Sequence, residues 1–328
     1  MAVLTMVEAI RQALEQEMER DERVMILGED VGRLGGVFRA TDGLQRRFGE
    51  SRVLDTPLAE AVIAGASVGL AMSGMVPVPE MQFLGFSHQA FHQIADQIAR
   101  YRFRSQGRFP MQITIRAPFG GGVRTPEMHS DALEAQFVQS PGLKVVMPSS
   151  AYDAKGLLLE AIRDPDPVLF CEPLRGYRLV KDEVPEGDYT VPFGQARIVR
   201  EGDDVTLVAW SAAVQLCLRA AELAAKENIS CRVLDLRTLV PLDIEALARC
   251  AEDTGRVVVV HEAPYTGGFG AEVIATIQEE AFYSLEAPIA RVTAPDTPYP
   301  IAGVEEWYIP NEERVLAAVR RTVGMTGA

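Results

Sequence analysis

Two α/β domains, each built on a largely parallel sheet, are what the sequence predicts. Short β-branched runs alternate with helical periodicities along almost the whole chain, and parallel strands joined by crossover helices are the natural solution to that rhythm. The 328 residues exceed one domain of ordinary size, about 150 residues. The rhythm breaks over Tyr177–Gly194, a polar connection reading YRLVKDEVPEGDYTVPFG. A boundary near Gly187 then gives a first domain over 1–187 and a second over 188–328.

Taken in order, Thr5-Met6-Val7-Glu8 has the spacing of a capping box, and Met6, Ile10, Ala13, Leu14 and Met18 recur at helical intervals behind it. Strand runs follow at VMIL (24–27), RVLD (52–55), QITIR (112–116), KVVMP (144–148) and PVLFCE (167–172). Helical patterns cover 57–74, 86–104 and 150–163, with Pro57 in a first turn and Ser150 as a cap. Past the connection, VTLVAW (205–210), SCRVLDL (230–236), RVVVVHE (256–262) and IARVTAP (289–295) alternate with helices near 213–227, 243–251, 270–282 and 312–323.

Composition narrows the function. Thirty-two Lys and Arg against 46 Asp and Glu give a net charge of −14, a field that repels nucleic acid and anionic lipid. Residues 188–328 carry 12 basic and 21 acidic side chains, so the second half is either a solvated acidic surface or a dock for a basic partner. Cys171, Cys217, Cys231 and Cys250 form no C-x-x-C pair, which argues against a zinc site or a disulfide framework and fits a reducing cytoplasm. The N-terminus shows no signal-peptide pattern. Residues 61–79 lack charge, but their Gly, Ser and Pro content reads as a buried helix–strand unit, not a membrane span.

Several local patterns are decoys. Gly268-Phe269-Gly270 has Val273 where a dinucleotide fingerprint needs its third glycine. Arg100-Tyr101-Arg102-Phe103-Arg104 interleaves cations and aromatics, yet reads as an ion-paired helix end. His88 and His92 have the spacing of a metal pair with no third ligand, and His261 reads as a buried, hydrogen-bonded histidine. The informative turn is Asp55-Thr56-Pro57-Leu58-Ala59-Glu60, which sets Glu60 near a helix start at the carboxyl edge of a parallel strand, where ligands of open α/β sheets collect. Glu60 there is either a charge complementing the helix dipole or a functional carboxylate. Ala61, Gly65 and Gly69 behind it form a small-residue stripe that lets another backbone approach. His129 stands in a loop past Gly120-Gly121-Gly122, ahead of a helix start at Ser130, where proton transfer is well served.

At these residues the chain resembles a family. Glu60-x4-Gly65-x3-Gly69, GEDVG (28–32), GGVFRAT (35–41), DTPLAE (55–60), APFGGGVRTPEMHS (117–130), PGLKVVMPS (141–149), DAKGLL (153–158) and DLRTLVPLD (235–243) are similar to the β subunit of thiamine-diphosphate-dependent 2-oxo acid dehydrogenases. The resemblance runs in order over nearly the whole chain. Asp131 and Gln139 make it nearer the bacterial pyruvate type than the branched-chain type, whose text there reads HSQS with a later His.

This resemblance implies a transketolase-like pyrimidine domain followed by a transketolase C-terminal-like domain. It implies oxidative decarboxylation of a 2-oxo acid, most naturally pyruvate, with acyl transfer to a lipoyl group. Branched-chain 2-oxo acid and acetoin dehydrogenase β subunits remain as alternatives. Glu60 would activate the cofactor through its pyrimidine N1′, and His129 would serve the acyl transfer. Glu29, Leu58, Ala59, Gln82, Phe86 and Gln89 would line the pyrimidine end, and Phe83, Phe86 and His129 the substrate. Ile113, Ala161, Ile162, Asp164 and Asp166 match a potassium site. The Gly-Asp-Gly…Asn motif that holds Mg2+ and diphosphate is absent, since Gly202-Asp203-Asp204 before Asn228 ends in the wrong residue. Mg2+ is therefore expected on an α subunit, in an α2β2 heterotetramer that meets the lipoyl and subunit-binding domains of an acyltransferase core.

Overall fold

Strand and helix content follow the pattern of apolar residues closely. The computed structural model describes residues 1–324, which fall into two compact units. Met1–Gly120 and Met128–Phe193 make the first; Gly121–Glu127 and Gly194 onward make the second.

In the first unit, parallel strands lie in the order Lys144–Val146, Val168–Pro173, Thr114–Phe119, Val76–Glu80, Val24–Gly28 and Val53–Asp55. Every residue of Val24–Gly28 and Val76–Glu80 is buried, as expected of strands covered on both faces. Pro77 and Pro79 sit inside a central strand, where a missing N–H is normally excluded. Their register explains it. Val76 donates to the Arg23 carbonyl on one side, and Met81 to Arg116 on the other. The prolines occupy the alternate positions facing Thr114–Phe119, where pairing begins only at Glu80–Arg116.

Helix Met6–Arg20 starts on the expected capping box. Glu8 Oε2 accepts from the Thr5 backbone N–H at 2.8 Å, and the Thr5 hydroxyl accepts from the Glu8 N–H at 3.4 Å. Met6, Ile10 and Leu14 from its inner face share one apolar core with Leu157 and Leu158 of helix Ala151–Arg163. That second helix begins on the Ser150 cap.

Four expectations need correction. Helix Glu60–Met72 begins at Glu60 and leaves Pro57 in the preceding loop. The stretch expected as one helix over 86–104 is a 3-10 turn, Leu84–Ala90, a π-helical stretch, His92–Ile98, and a short α-helix, Ala99–Arg104. Ser130 starts no helix; the next one is Glu134–Val138. The connection after Tyr177 is not wholly irregular. Lys181–Val184 pairs antiparallel with Ala2–Thr5, a ribbon invisible to local periodicity because its halves lie at opposite ends of the unit's sequence. Fully buried Lys155 fastens the chain just beyond this ribbon, its ammonium donating to the Gln12 side chain and to the carbonyls of Pro185 and Gly187.

The second unit's sheet runs Ala290–Ala294, Val257–Pro264, Val205–Ala209, Cys231–Asp235, Arg197–Arg200, parallel except for the last edge strand. Asp243 and Asn311 cap helices Ile244–Thr254 and Glu312–Thr322. His261 is fully buried, as expected, but neither ring nitrogen has a hydrogen-bond partner among the described residues. It stacks on Trp210, with ring centroids 5.0 Å apart. A Cβ at Gly268 or Gly270 would come within 2.6 or 2.5 Å of the ring. The paired glycines that imitate half a dinucleotide fingerprint are thus the seat of an imidazole. All four cysteines are free and buried, and no helix among the described residues is long and apolar enough to cross a membrane.

Candidate active site

The carboxyl ends of two neighbouring strands of the first unit, Val24–Gly28 and Val53–Asp55, are level, with Gly28 beside Asp55. Glu29 follows the first strand directly. The loop after the second is tied back by the Thr56 N–H to the Gly28 carbonyl at 2.9 Å, and Asp55 accepts from the N–H groups of Gly32 and Arg33. It then enters helix Glu60–Met72, whose N-terminus has no side-chain cap. Glu29 and Glu60 are 6% and 2% exposed. Each keeps one buried carboxylate oxygen without a hydrogen-bond partner among the described residues. Burial first, then the Glu60 charge, pushes the Glu29 carboxyl above its ordinary value. Two desolvated carboxylates in mutual field, with unused acceptors, suit a ligand that brings a proton donor.

A wall of aromatic rings stands at the end of the next strand. Val76–Glu80 leads through Met81 and Gln82 to Phe83 and the Leu84–Ala90 turn. His129, in the turn Glu127–His129, packs edge-on against Phe83 at 4.6 Å and Phe86 at 4.9 Å between centroids. Phe83 also touches Phe38, which touches Tyr177. Gly85 makes the approach possible, since a Cβ there would lie 1.9 Å from the Met128 carbonyl oxygen.

Beneath this wall lies a buried charge cluster. Arg116, fully buried, donates to Glu80 at 2.6 Å and to Glu172 at 2.7 and 2.8 Å, and the Tyr177 hydroxyl donates to Glu172. Burial pushes the Glu80 carboxyl up, and Arg116 opposes the shift. For Arg116, burial works against the charge, but Glu172 and Glu80 hold it protonated.

The expected site residues are thus brought together unevenly. Phe83, Phe86 and His129 form one group in contact, and Glu60 acts on Glu29 through its charge. Ala59 and Gln82 are half-buried, and Leu58 and Gln89 are exposed. His88 bonds Gln136, and His92 bonds Asp96 and Gln97; among the described residues no trio of His, Cys, Asp or Glu could hold a metal. Around the expected potassium site, Ile113, Ala161 and Ile162 are buried. The Ile162 carbonyl accepts from Gln112, Asp164 is ion-paired to Lys144 at 2.5 Å, and Asp166 to Arg102. Sequence reasoning missed Phe38, Gly85 and the Arg116 cluster; Gly85 between Phe83 and Phe86 was the one local sign. The expected ion-paired helix end is present: Arg100 pairs with Asp96 and Arg102 with Asp166, while Arg104 donates a hydrogen bond to Gln97.

Comparison with known proteins matches both units to families. Residues 2–179 match the transketolase pyrimidine binding domain, and residues 194–315 the transketolase C-terminal domain. The chain is 52% identical over 323 residues to the pyruvate dehydrogenase E1 component subunit beta of Staphylococcus epidermidis, covering 98% of this chain and 99% of that one. It is 50% identical, with the same coverage, to the protein of that name from Bacillus subtilis. Among solved structures, a split-gene transketolase described as an inactive β4 tetramer matches with a TM-score of 0.80 at 25% identity, over 98% of each chain. The expected architecture of two transketolase-like α/β domains therefore holds, and the chain belongs to the family of pyruvate dehydrogenase E1 component β subunits.

Proposed function

We propose that this chain is the β subunit of a cytoplasmic pyruvate dehydrogenase, acting with an α subunit in an α2β2 heterotetramer. The reaction is thiamine-diphosphate-dependent oxidative decarboxylation of pyruvate with acetyl transfer to the lipoyl domain of an acyltransferase core. The observation that carries the cofactor assignment is the pair of buried carboxylates, Glu29 and Glu60, each with an unpartnered oxygen among the described residues.

The residues present fit the pyrimidine half of the cofactor. Glu60 would hold a proton at the pyrimidine N1′, and burial together with the Glu60 charge pushes the Glu29 carboxyl up beside it. Phe86, Ala59, Leu58, Gln82 and Gln89 would border the ring. When bound, thiamine diphosphate supplies a nucleophilic carbon and an electron sink. Mg2+ and the diphosphate belong to the α subunit in this reading, because the chain has no motif for them. A potassium ion among Ile113, Ala161, Ile162, Asp164 and Asp166 would compete with Lys144 and Arg102 for both carboxylates, and it has no step here.

The overall chemistry sets the task of His129. Carbon dioxide leaves, the acetyl group bonds to one lipoyl sulfur, and the electron pair of the broken carbon–carbon bond reduces the disulfide. The second sulfur then takes up one proton. His129, half-buried against Phe83 and Phe86, would deliver it as a positioned general acid.

Reconstitution with the α subunit and comparison of kcat/KM for pyruvate, branched-chain 2-oxo acids and acetoin tests the assignment. Pyruvate is expected to be preferred by about tenfold or more, a discrimination within reach of pocket contacts. Preference for a branched-chain acid or for acetoin would move the chain to one of those dehydrogenases.

A further inference from the structure

The glycine-rich segment that leads to His129 is held by carboxylates of the second unit. The chain leaves the first unit at Gly120, and residues Gly121–Glu127 pack as part of the second before the first resumes at Met128. Gly120 and Gly122 have positive φ, 85° and 90°, which sets their neighbours' N–H groups at angles that an ordinary side chain would resist. The Gly121 N–H donates to Glu262 Oε1 at 2.5 Å, and the Gly122 N–H to Glu305 Oε1 at 2.8 Å. The Tyr299 hydroxyl donates to that same Glu305 oxygen at 2.5 Å. A Cβ on Gly121 would lie 1.7 Å from the Tyr299 oxygen and 2.9 Å from Ile309 Cδ1. Gly121, Tyr299 and Glu305 are all buried. Burial, the Glu305 bond and the Glu262 charge push the Tyr299 phenol up, so it stays a donor.

Bonds from charged acceptors to backbone N–H groups are among the stronger ones a loop can make. Two in succession fix the direction of the chain at the start of the segment. Between them and His129 stands only VRTPEM, with Arg124 and Glu127 at positive φ. Pro126 stiffens the middle.

We infer that Glu262, Glu305 and Tyr299 are positioning residues for acyl transfer, a clamp on Gly121 and Gly122 that sets where the loop delivers His129. This rests on the reading of His129 as the proton donor to the lipoyl sulfur. The effect of these three residues passes through the backbone of the loop, and a displacement of about 1 Å at a reacting group can cost about 10²-fold.

Glu305→Ala and Tyr299→Phe, tested in the reconstituted αβ complex, separate the possibilities. Arg124 is exposed, so trypsin cleavage after it reports the clamp without any catalysis. Acyl transfer to the lipoyl domain and decarboxylation with an artificial electron acceptor are measured on the same preparation. Glu305→Ala is expected to speed cleavage after Arg124, to lower acyl transfer by about tenfold or more, and to spare decarboxylation. Glu305→Gln keeps an acceptor for the Gly122 N–H and should restore most of the loss. Tyr299→Phe removes one hydroxyl and should show the same pattern more weakly; it decides the question if Glu305→Ala does not fold. Faster cleavage with unchanged acyl transfer overturns the positioning role, and unchanged cleavage overturns the clamp. If His129→Ala leaves acyl transfer intact, the reading of His129 is at fault. The cleavage rates still judge the clamp in that case.

Discussion

The imidazole of His129 stands edge-on to Phe83, 4.6 Å between ring centroids and 67° between planes. Phe83 is 5% exposed and belongs to the apolar core that also holds Met6 and Ile10. A loop histidine is thereby referenced to the rigid part of its domain. Quadrupole interactions favour this T-shaped arrangement, by about 0.5–1.5 kcal/mol beyond the area buried.

That contact depends on Gly85. An alanine there would put its Cβ 1.9 Å from the Met128 carbonyl oxygen, so the His129 turn must move. Gly85→Ala is expected to cost about 1–3 kcal/mol of stability. It should also lower acyl transfer to the lipoyl domain by about 10–10²-fold, while binding of thiamine diphosphate changes little. Denaturant unfolding and a lipoyl acylation assay check both; unchanged acylation would show that the turn relaxes without displacing His129.

The charge cluster under the aromatic wall makes a different prediction. Arg116 is the cation between Glu80 and Glu172 in the fully buried ion pairs. Arg116→Met leaves those carboxylates uncompensated and should destabilise the chain by about 3–5 kcal/mol. A triple replacement of Arg116, Glu80 and Glu172 by apolar residues of similar volume should recover much of that loss. Urea unfolding of the three proteins decides; an Arg116→Met loss within experimental error would mean that water reaches the cluster.

His261 predicts a pH dependence of the second unit. Burial first, and the Arg291 charge second, depress its pKa from 6.5 to about 3. The unfolded chain therefore binds a proton in that interval and the native state does not. Stability from this group is complete above pH 6.5 and falls as pH drops toward 3, by about 1.4 kcal/mol per unit. His261→Phe, which keeps a ring against Trp210, should flatten the slope. Unfolding followed by Trp210 emission at about pH 5 and about pH 7 measures it; an equal slope in both proteins would contradict the assignment.

Much of this was legible in the sequence where one local rule sufficed. Val24–Gly28, Thr114–Phe119, Val168–Pro173 and Val257–Pro264 read as strands because they hold short, mostly apolar runs suited to burial on both faces. Thr5, Ser150 and Asn311 cap the helices that begin just after them. Contacts distant in sequence were not legible. Lys181–Val184 needs Ala2–Thr5 to become a strand. Arg116 looks like a solvated end of QITIR until Glu80 and Glu172 are brought beside it. In the site, the pattern singled out Glu60 and His129 as candidates, and the family resemblance supplied their expected roles. The support of His129 by Phe83 and Gly85, and the Glu262 and Glu305 bonds to the glycine segment, required three dimensions.

In the proposed division of labour, Glu60 would serve the cofactor and His129 the later acyl transfer. Hydrogen–deuterium exchange at the thiazolium C2 of thiamine diphosphate bound to the reconstituted αβ complex separates them most directly. Glu60→Gln is expected to slow that exchange by about 10²–10⁴-fold, the usual loss for one positioned proton-transfer group. His129→Ala should leave the exchange within about twofold of the unsubstituted complex while its acyl transfer to the lipoyl domain falls by about 10²–10⁴-fold. Exchange slowed equally by both substitutions, or untouched by Glu60→Gln, would contradict the division of labour.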